Sequence, residues 1–168
     1  ESDARFSECS FQSEKGDALG AIHSSISLNN CGFFNVAGNG ICLYFSNATL
    51  EGISFSDIQE NGIESVGSGV TAGKIKVKRI GNAGLMIKEL SLLKGSGFSF
   101  ENCVTAIVAK DKGEVNLSSV VITHCETGLK ATRKGDVFGP SSITIKDFQI
   151  SDTKYQRIEE KGSVILVN

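Results

Sequence analysis

The chain has 168 residues, which is the size of one domain and too short for a catalytic domain joined to a separate recognition domain. Its 17 lysines and arginines stand against 19 acidic residues, and the resulting net charge of −2 disfavours nucleic acid as a partner. A 40% apolar content excludes a disordered chain, and no uncharged apolar stretch approaches the roughly 20 residues of a membrane span, so membrane insertion is not expected. Nineteen glycines, one proline and no tryptophan favour many short strands separated by turns.

A small residue followed by an apolar one recurs every 22 residues. The pairs are Ala18-Leu19, Gly40-Ile41, Gly62-Ile63, Gly84-Leu85, Ala106-Ile107 and Gly128-Leu129. A second column lies two residues later and consists of Ala21, Leu43, Ser65, Ile87, Ala109 and Ala131. Because strand side chains alternate between two faces, both columns fall on the same side of one strand. The spacing therefore predicts one strand per repeat whose inward face stacks on the next repeat.

A second alternating strand recurs in phase with the first. Its inward pairs are Cys9/Phe11, Cys31/Phe33, Ile53/Phe55 and Ile75/Val77, followed after a shift of one residue by Phe98/Phe100, Val120/Ile122 and Ile143/Ile145. This repeat is too short for a propeller blade, contains no helical periodicity and lacks the leucine pattern of leucine-rich repeats. We therefore predict an all-β fold, a single-stranded right-handed parallel β-helix of about seven coils with a 22-residue repeat, in which each coil is stabilised by its neighbours.

Two further columns are interpreted as structural. The turn residues before each small residue form another column, in which side chains stacked in register can form a hydrogen-bonded ladder: Asp17, Asn39, Asn61, Ala83, Thr105 and Thr127. Cys9 and Cys31 are 22 residues apart, as are Cys103 and Cys125; this stacking allows a disulfide, but buried free thiols are favoured. The five cysteines lack C-x-x-C spacing, and the two histidines, His23 and His124, are out of phase with the repeat. No metal site, cofactor or catalytic residue is predicted.

The strongest cluster of one charge sign is the basic stripe, which we define as Lys74, Lys76, Lys78 and Arg79. Alternation should point the three lysines outward and the intervening Ile75 and Val77 inward. The stripe is the candidate binding site, for an anionic glycan or an acidic partner. The alternative is a solvated face whose lysines discourage association between sheets. The repeat also predicts surface ion pairs between neighbouring coils, Asp57 with Arg79 and Lys78 with Glu101.

The domain is expected to cover residues 1–168 and to be part of a longer protein. Residues 132–141 hold the only proline and interrupt the repeat, which predicts a protruding loop. Residues 152–168 are expected to form a C-terminal coil or cap. No capping helix precedes the first coil, so its strand edges are expected to contact another domain or chain.

The coil pattern resembles, over nearly the whole chain, the right-handed β-helix superfamily that includes pectate lyases and polygalacturonases. The last third is similar to β-helix modules of bacterial surface and secreted proteins, in the stretches ENCVTAIVAKDKGEVNLSSV, ETGLKA, FGPSSITIKDF and EEKGSVI. The resemblance implies an extracellular or cell-surface location. Enzymes of the superfamily carry a row of acidic residues, or calcium-binding aspartates with an arginine base. The sequence has no N-x-D followed by D-D, no G-H-G and no R-x-K.

Two functions are therefore carried forward. The first is a non-enzymatic module that serves as a rigid scaffold and as an adhesion or interaction surface. The alternative is a carbohydrate-active domain, a polysaccharide lyase or glycoside hydrolase that binds or cleaves an acidic polysaccharide. The expected partners are a polysaccharide or a protein surface.

Overall fold

The computed structural model describes residues 2–160 and 162–168, and of Asp136 the backbone alone. Glu1, at the start of the predicted domain, and Lys161, inside the predicted C-terminal cap, lie outside the described residues. Within the described part, no helix is long and apolar enough to cross a membrane.

The described residues form strands and one short 3₁₀ helix at Asp136–Phe138. The strands are β1 (Asp3–Ser7), β2 (Ser10–Ser13), β3 (Leu19–Ile22), β4 (Ser25–Asn29), β5 (Gly32–Val36), β6 (Ile41–Tyr44), β7 (Asn47–Glu51), β8 (Ser54–Ile58), β9 (Ile63–Val66), β10 (Gly69–Lys88), β11 (Leu92–Lys110), β12 (Glu114–Thr123), β13 (Thr127–Thr132), β14 (Ser142–Ser151), β15 (Tyr155–Glu159) and β16 (Val164–Val167).

Every strand pairing is parallel, and each coil crosses three faces before the chain climbs to the next. Face A contains β1, β4 and β7, the first parts of β10, β11, β12 and β14, and β16. Face B contains β2, β5 and β8, the middle of β10 and β11, and the ends of β12 and β14. Face C contains β3, β6 and β9, the ends of β10 and β11, and β13 and β15. Seven coils are complete, and β16 begins another.

The 22-residue repeat is confirmed by the strand register. On face A, Ser25 pairs with Asn47, which pairs with Gly69. The shift of one residue is also confirmed, because Ile75 pairs with Phe98. Both inward columns of the face C strand are buried, so the sequence pattern identified the core of this face correctly from the second coil onward.

One pair was placed on the wrong face. Ile143 and Ile145 were expected in the second strand, but they lie on face A, paired with Val115 and Leu117. The segment before β14 is longer than the other corners, so counting by 22 fails there. Phe148 takes the face B position above Val120, at a separation of 148 − 120 = 28 residues.

The coils turn at corners where the backbone adopts positive φ. Glycine occupies some of these positions, as at Gly52 and Gly67, and asparagine or aspartate others, as at Asn30 and Asp57. These residues enter the left-handed region at low cost, whereas Phe45 occupies the same corner position as Gly67 despite its large side chain. Several residue types therefore adopt the same corner conformation.

The core is a continuous stack of apolar columns. Phe33 lies between Phe11 and Phe55, with ring centroids 4.6 and 5.1 Å away and rings nearly parallel. Parallel aromatic stacking at this distance adds to the free energy gained from burial. Apolar columns continue from coil to coil, so the interior is one close-packed core.

Polar ladders line two corners. The predicted ladder is confirmed for its first three members: Asp17 Oδ1 accepts from the Asn39 side chain at 3.0 Å, and Asn39 Oδ1 accepts from the Asn61 side chain at 2.8 Å. It ends at Ala83, whose backbone N–H donates to Asn61, and the side chains of Thr105 and Thr127 make no hydrogen bond within the described residues. A second ladder was not predicted. In it, the backbone N–H groups of Ser24, Ser46 and Ser68 each donate to the hydroxyl of the serine on the next coil.

The strands β1, β2 and β3 each pair with a strand on one side only. The expected contact of this first coil with another domain or chain stays a prediction. Residues 133–141, between β13 and β14, include the 3₁₀ helix and the fully exposed Val137.

Candidate functional site

The basic stripe has the predicted alternation. Ile75 and Val77 are buried, while Lys74 and Lys76 are exposed and Lys78 is half-buried. Lys74 belongs to the corner between faces A and B, and the other members of the stripe lie on face B. The predicted binding role of the stripe stays a prediction.

Acidic residues of neighbouring coils neutralise most of this charge. Lys74 Nζ lies 2.9 Å from Glu51 Oε1, and Lys78 Nζ lies 3.1 Å from Glu101 Oε1. The second of these pairs was predicted, whereas Glu51 was missed because it is 74 − 51 = 23 residues before Lys74, one more than the repeat. Lys76 forms no ion pair within the described residues. One unpaired lysine therefore remains on this face of the stripe.

Arg79 forms the most strongly oriented of these pairs, and it too was predicted. Its Nε and Nη2 donate to the two carboxylate oxygens of Asp57, each at 2.6 Å. The hydrogen bonds from Arg79 lower the pKa of Asp57, which keeps this carboxyl group ionised. Both residues adopt positive φ.

Arg79 and Asp57 also line a cleft, which we name the corner groove. It lies where face B turns into face C, encloses about 710 Å³, and runs along the rod from the first coil to the fifth. Its polar lining comes from Glu14, Asn35, Asp57, Gln59, Arg79 and Asn102.

The corner groove exists because the end of face B bulges. The pairing register of β10 with β11 shifts between Ile80 and Ala83, so the backbone leaves the sheet before it turns. At Gly81 a Cβ atom would lie 2.2 Å from the carbonyl oxygen of Gln59, so only glycine lets the two coils approach this closely. Gly81 and Gln59 therefore bring the backbones of two coils close together within the lining of the groove.

The family model described as "Right handed beta helix region" matches residues 1–150. The chain belongs to the right-handed β-helix family. Neither the search of curated proteins nor the search of solved structures found a match. This family membership supports a scaffold or a carbohydrate-related domain in general terms.

Face C of this β-helix carries a polar cluster that sequence reasoning missed. Lys88 Nζ contacts Glu64 Oε1, and the Asn61 side chain donates to Glu64 Oε2 at 3.2 Å. Both charged side chains are mostly buried, unlike the pairs of the basic stripe. Lys88 follows Glu64 by 24 residues, so no column at 22 reveals the pair.

The same cluster includes a thiol and a phenol. Burial raises the pKa of Cys42 to about 11, with the Glu64 and Asp17 carboxylates acting in the same direction. The contact with Cys42 raises the pKa of Tyr44 to about 12. Because the Cys42 thiol keeps its proton at neutral pH, it is a poor nucleophile.

The other cysteines and the two histidines lie outside this cluster on face C. All five cysteines are free thiols, as favoured from the sequence. The hydrogen bond with Cys125, together with burial, raises the pKa of Cys103 far above its usual range. His23 stacks on Phe45, while His124 lies 3.7 Å from Asp152 at another corner of the β-helix. Within residues 2–160 and 162–168, no group of three or more His, Cys, Asp or Glu side chains is arranged to hold a metal ion.

Proposed function

We propose that this β-helix is a non-enzymatic module of a secreted or cell-surface protein, and that it acts as a rigid scaffold with the corner groove as its adhesion or interaction surface. The observation that carries the proposal is the groove itself, a cleft of about 710 Å³ along five stacked coils. A cleft parallel to the rod axis suits an extended partner, since each coil offers it an equivalent position.

The groove contains hydrogen-bonding groups that the fold does not use. The side-chain amides of Asn35 and Gln59 are exposed and make no hydrogen bond within the described residues. They flank Asp57 and Arg79, whose mutual hydrogen bonds fix their position before a partner arrives. A pre-positioned polar wall lowers the entropy lost on binding. Lys76, the unpaired member of the basic stripe, lies outside the groove lining, three residues before Arg79, and offers an acidic group of the partner a cation that no carboxylate of the described residues pairs.

Glycan cleavage fits this groove less well than glycan binding. Hydrolysis requires two carboxyl groups roughly 5–9.5 Å apart, one of them with a raised pKa so that it donates a proton. In the groove, Arg79 lowers the pKa of Asp57, which is the opposite of what a general acid needs. An acidic polysaccharide is therefore proposed as a bound partner and not as a substrate.

The proposal is tested by titrating the domain with neutral and acidic polysaccharides, with and without calcium, in a calorimeter. The double variant Asn35→Ala/Gln59→Ala and the single variant Arg79→Gln should weaken binding. Arg157→Gln is the matched control, because Arg157 is an exposed arginine on β15, beyond the groove. Binding that groove variants leave unchanged, or that all variants weaken equally, would contradict the proposal.

A further inference from the structure

A second cleft lies at the corner where face C leads into face A of the next coil, and we name it the aromatic cleft. It encloses about 280 Å³, and its lining includes Phe45, Leu90, Val137 and Phe138 together with Glu89 and Lys112. It shares none of its lining with the corner groove.

The cleft forms where this corner lengthens from the first coil to the sixth. The segments between the face C and face A strands are 23–24, 45–46 and 67–68 in the first three coils, then 89–91 and 111–113, and 133–141 in the sixth coil. The added residues, which include Leu90 and Lys112, project beyond the short corners of the first three coils. Phe45 lies on the side of these residues nearer the first coil, and the segment 133–141 lies on the opposite side.

The ring of Phe45 is held in place although it is 60% exposed. On one side it stacks on His23, with ring centroids 5.4 Å apart and an angle of 13° between the rings. On the other side it lies over Gly67, where a Cβ atom would be 2.7 Å from two ring carbons. The missing side chain at Gly67 therefore leaves the space that the ring occupies, and the ring cannot turn away without losing its stacking on His23.

The opposite wall is the segment 133–141, which is fixed to the rod. The backbone N–H of Lys134 donates to Oδ1 of the buried Asp111 at 2.6 Å. Lys112 packs along Gly139, where a Cβ atom would be 2.7 Å from its Cε. This anchoring presents Phe138 to the cleft and leaves Val137 90% exposed at its edge.

The lining of the cleft combines two aromatic side chains with the carboxylates of Glu89 and Asp111 and the ammonium group of Lys112. The Asp111 carboxylate is buried and already accepts from the Lys134 N–H, whereas Glu89 and Lys112 are exposed and make no ion pair or side-chain hydrogen bond within the described residues. The two exposed charges are of opposite sign, which favours an uncharged polar ligand over an anion or a cation. The volume is just below that of sites for drug-sized molecules, which are about 300–1,000 Å³, so one ring fits and a helix does not.

An uncharged sugar ring meets all of these conditions. Its C–H face packs on an aromatic ring, and its hydroxyl groups both donate to a carboxylate and accept from an ammonium group. We propose that the aromatic cleft binds a single hexopyranose ring of an uncharged glycan. This site is independent of the corner groove and adds a second, differently selective contact to the same module.

The test is saturation-transfer NMR on the whole domain with the methyl glycosides of glucose, galactose, mannose and N-acetylglucosamine. Transfer to at least one of them is expected. Phe45→Ala and Phe138→Ala should each weaken binding of that sugar by about 3- to 10-fold, the range expected for one lost aromatic contact. Phe45→Tyr keeps the ring and should restore binding. Circular dichroism of each variant verifies the fold.

Two controls distinguish the aromatic cleft from the rest of the protein surface. Tyr155→Ala removes an exposed aromatic side chain outside the cleft, and Arg79→Gln alters the corner groove; both should leave sugar binding unchanged. Absence of transfer from all four glycosides, or binding that persists in Phe45→Ala/Phe138→Ala, would overturn the proposal. Loss of binding in Arg79→Gln would assign the sugar to the corner groove and equally overturn it.

Discussion

Two buried serines three residues apart should respond to alanine substitution with opposite signs. Ser65 is 0% exposed, stacked between Leu43 and Ile87, and its hydroxyl has no hydrogen-bond partner within the described residues. Ser68 is 4% exposed, and its hydroxyl accepts from the Ser46 N–H at 2.9 Å and donates to the Val66 carbonyl at 2.9 Å. The Ser65 hydroxyl is therefore buried without a hydrogen bond, whereas the Ser68 hydroxyl is part of the serine ladder.

The expected magnitudes follow from these environments. An unpaired buried hydroxyl costs about 1–3 kcal/mol, so Ser65→Ala should raise the free energy of unfolding by about 1 kcal/mol after the small loss of packing. Ser68→Ala leaves a buried N–H without its acceptor and should lower the free energy of unfolding by about 1–3 kcal/mol.

Urea denaturation and calorimetry of both variants provide the measurement. Each kcal/mol corresponds to a shift of roughly 2–4 °C in Tm for a domain of this size. Destabilisation by Ser65→Ala as large as that by Ser68→Ala would refute the reasoning, because it would mean that the Ser65 hydroxyl is hydrogen-bonded in the folded protein.

Three further predictions concern the core, the asparagine ladder and the thiol on face C. Phe33→Ala should destabilise by about 3–5 kcal/mol in urea denaturation, and the outward-facing, half-buried Phe34→Ala by about 1–2 kcal/mol; similar losses would contradict the alternation. Asn61→Leu should lower the free energy of unfolding by about 2–3 kcal/mol in the same measurement, because it leaves the Ala83 N–H without its acceptor. An unchanged free energy of unfolding would mean that the asparagine ladder does not stabilise the fold. The folded state holds the Cys42 proton more tightly, so stability should fall as pH rises from 9.0 toward 11, and less so in Cys42→Ala; identical pH profiles would contradict the raised pKa.

The fold was largely predictable because its apolar columns repeat with the coil. Stacking requires similar side chains at equivalent positions, so Gly40-Ile41 and Gly62-Ile63 reveal the register directly. Prediction failed where the corner length changes. Ile143 and Ile145 were assigned to the wrong face because nothing in the local sequence states how many residues the preceding segment adds.

The candidate sites were harder to predict, because they depend on corners and not on the repeat. Arg79 was identified as part of the basic stripe, but no residue type or spacing in the sequence indicates the bulge beside it that opens the corner groove. Phe45 has the same side chain as Phe55 in the core and is exposed only because its corner backbone turns it outward. Glu64 and Lys88 meet across coils at a separation that differs from the repeat.

The most direct test of a non-enzymatic interaction module is to incubate the domain with the polysaccharide that it binds and to follow new reducing ends and unsaturated ends over time, with and without calcium. The account predicts that the polysaccharide is bound in the corner groove and recovered at its original length, with no new ends. Accumulation of either kind of end in proportion to the amount of domain, and its loss in Asp57→Asn, would contradict the account and make the corner groove an active site.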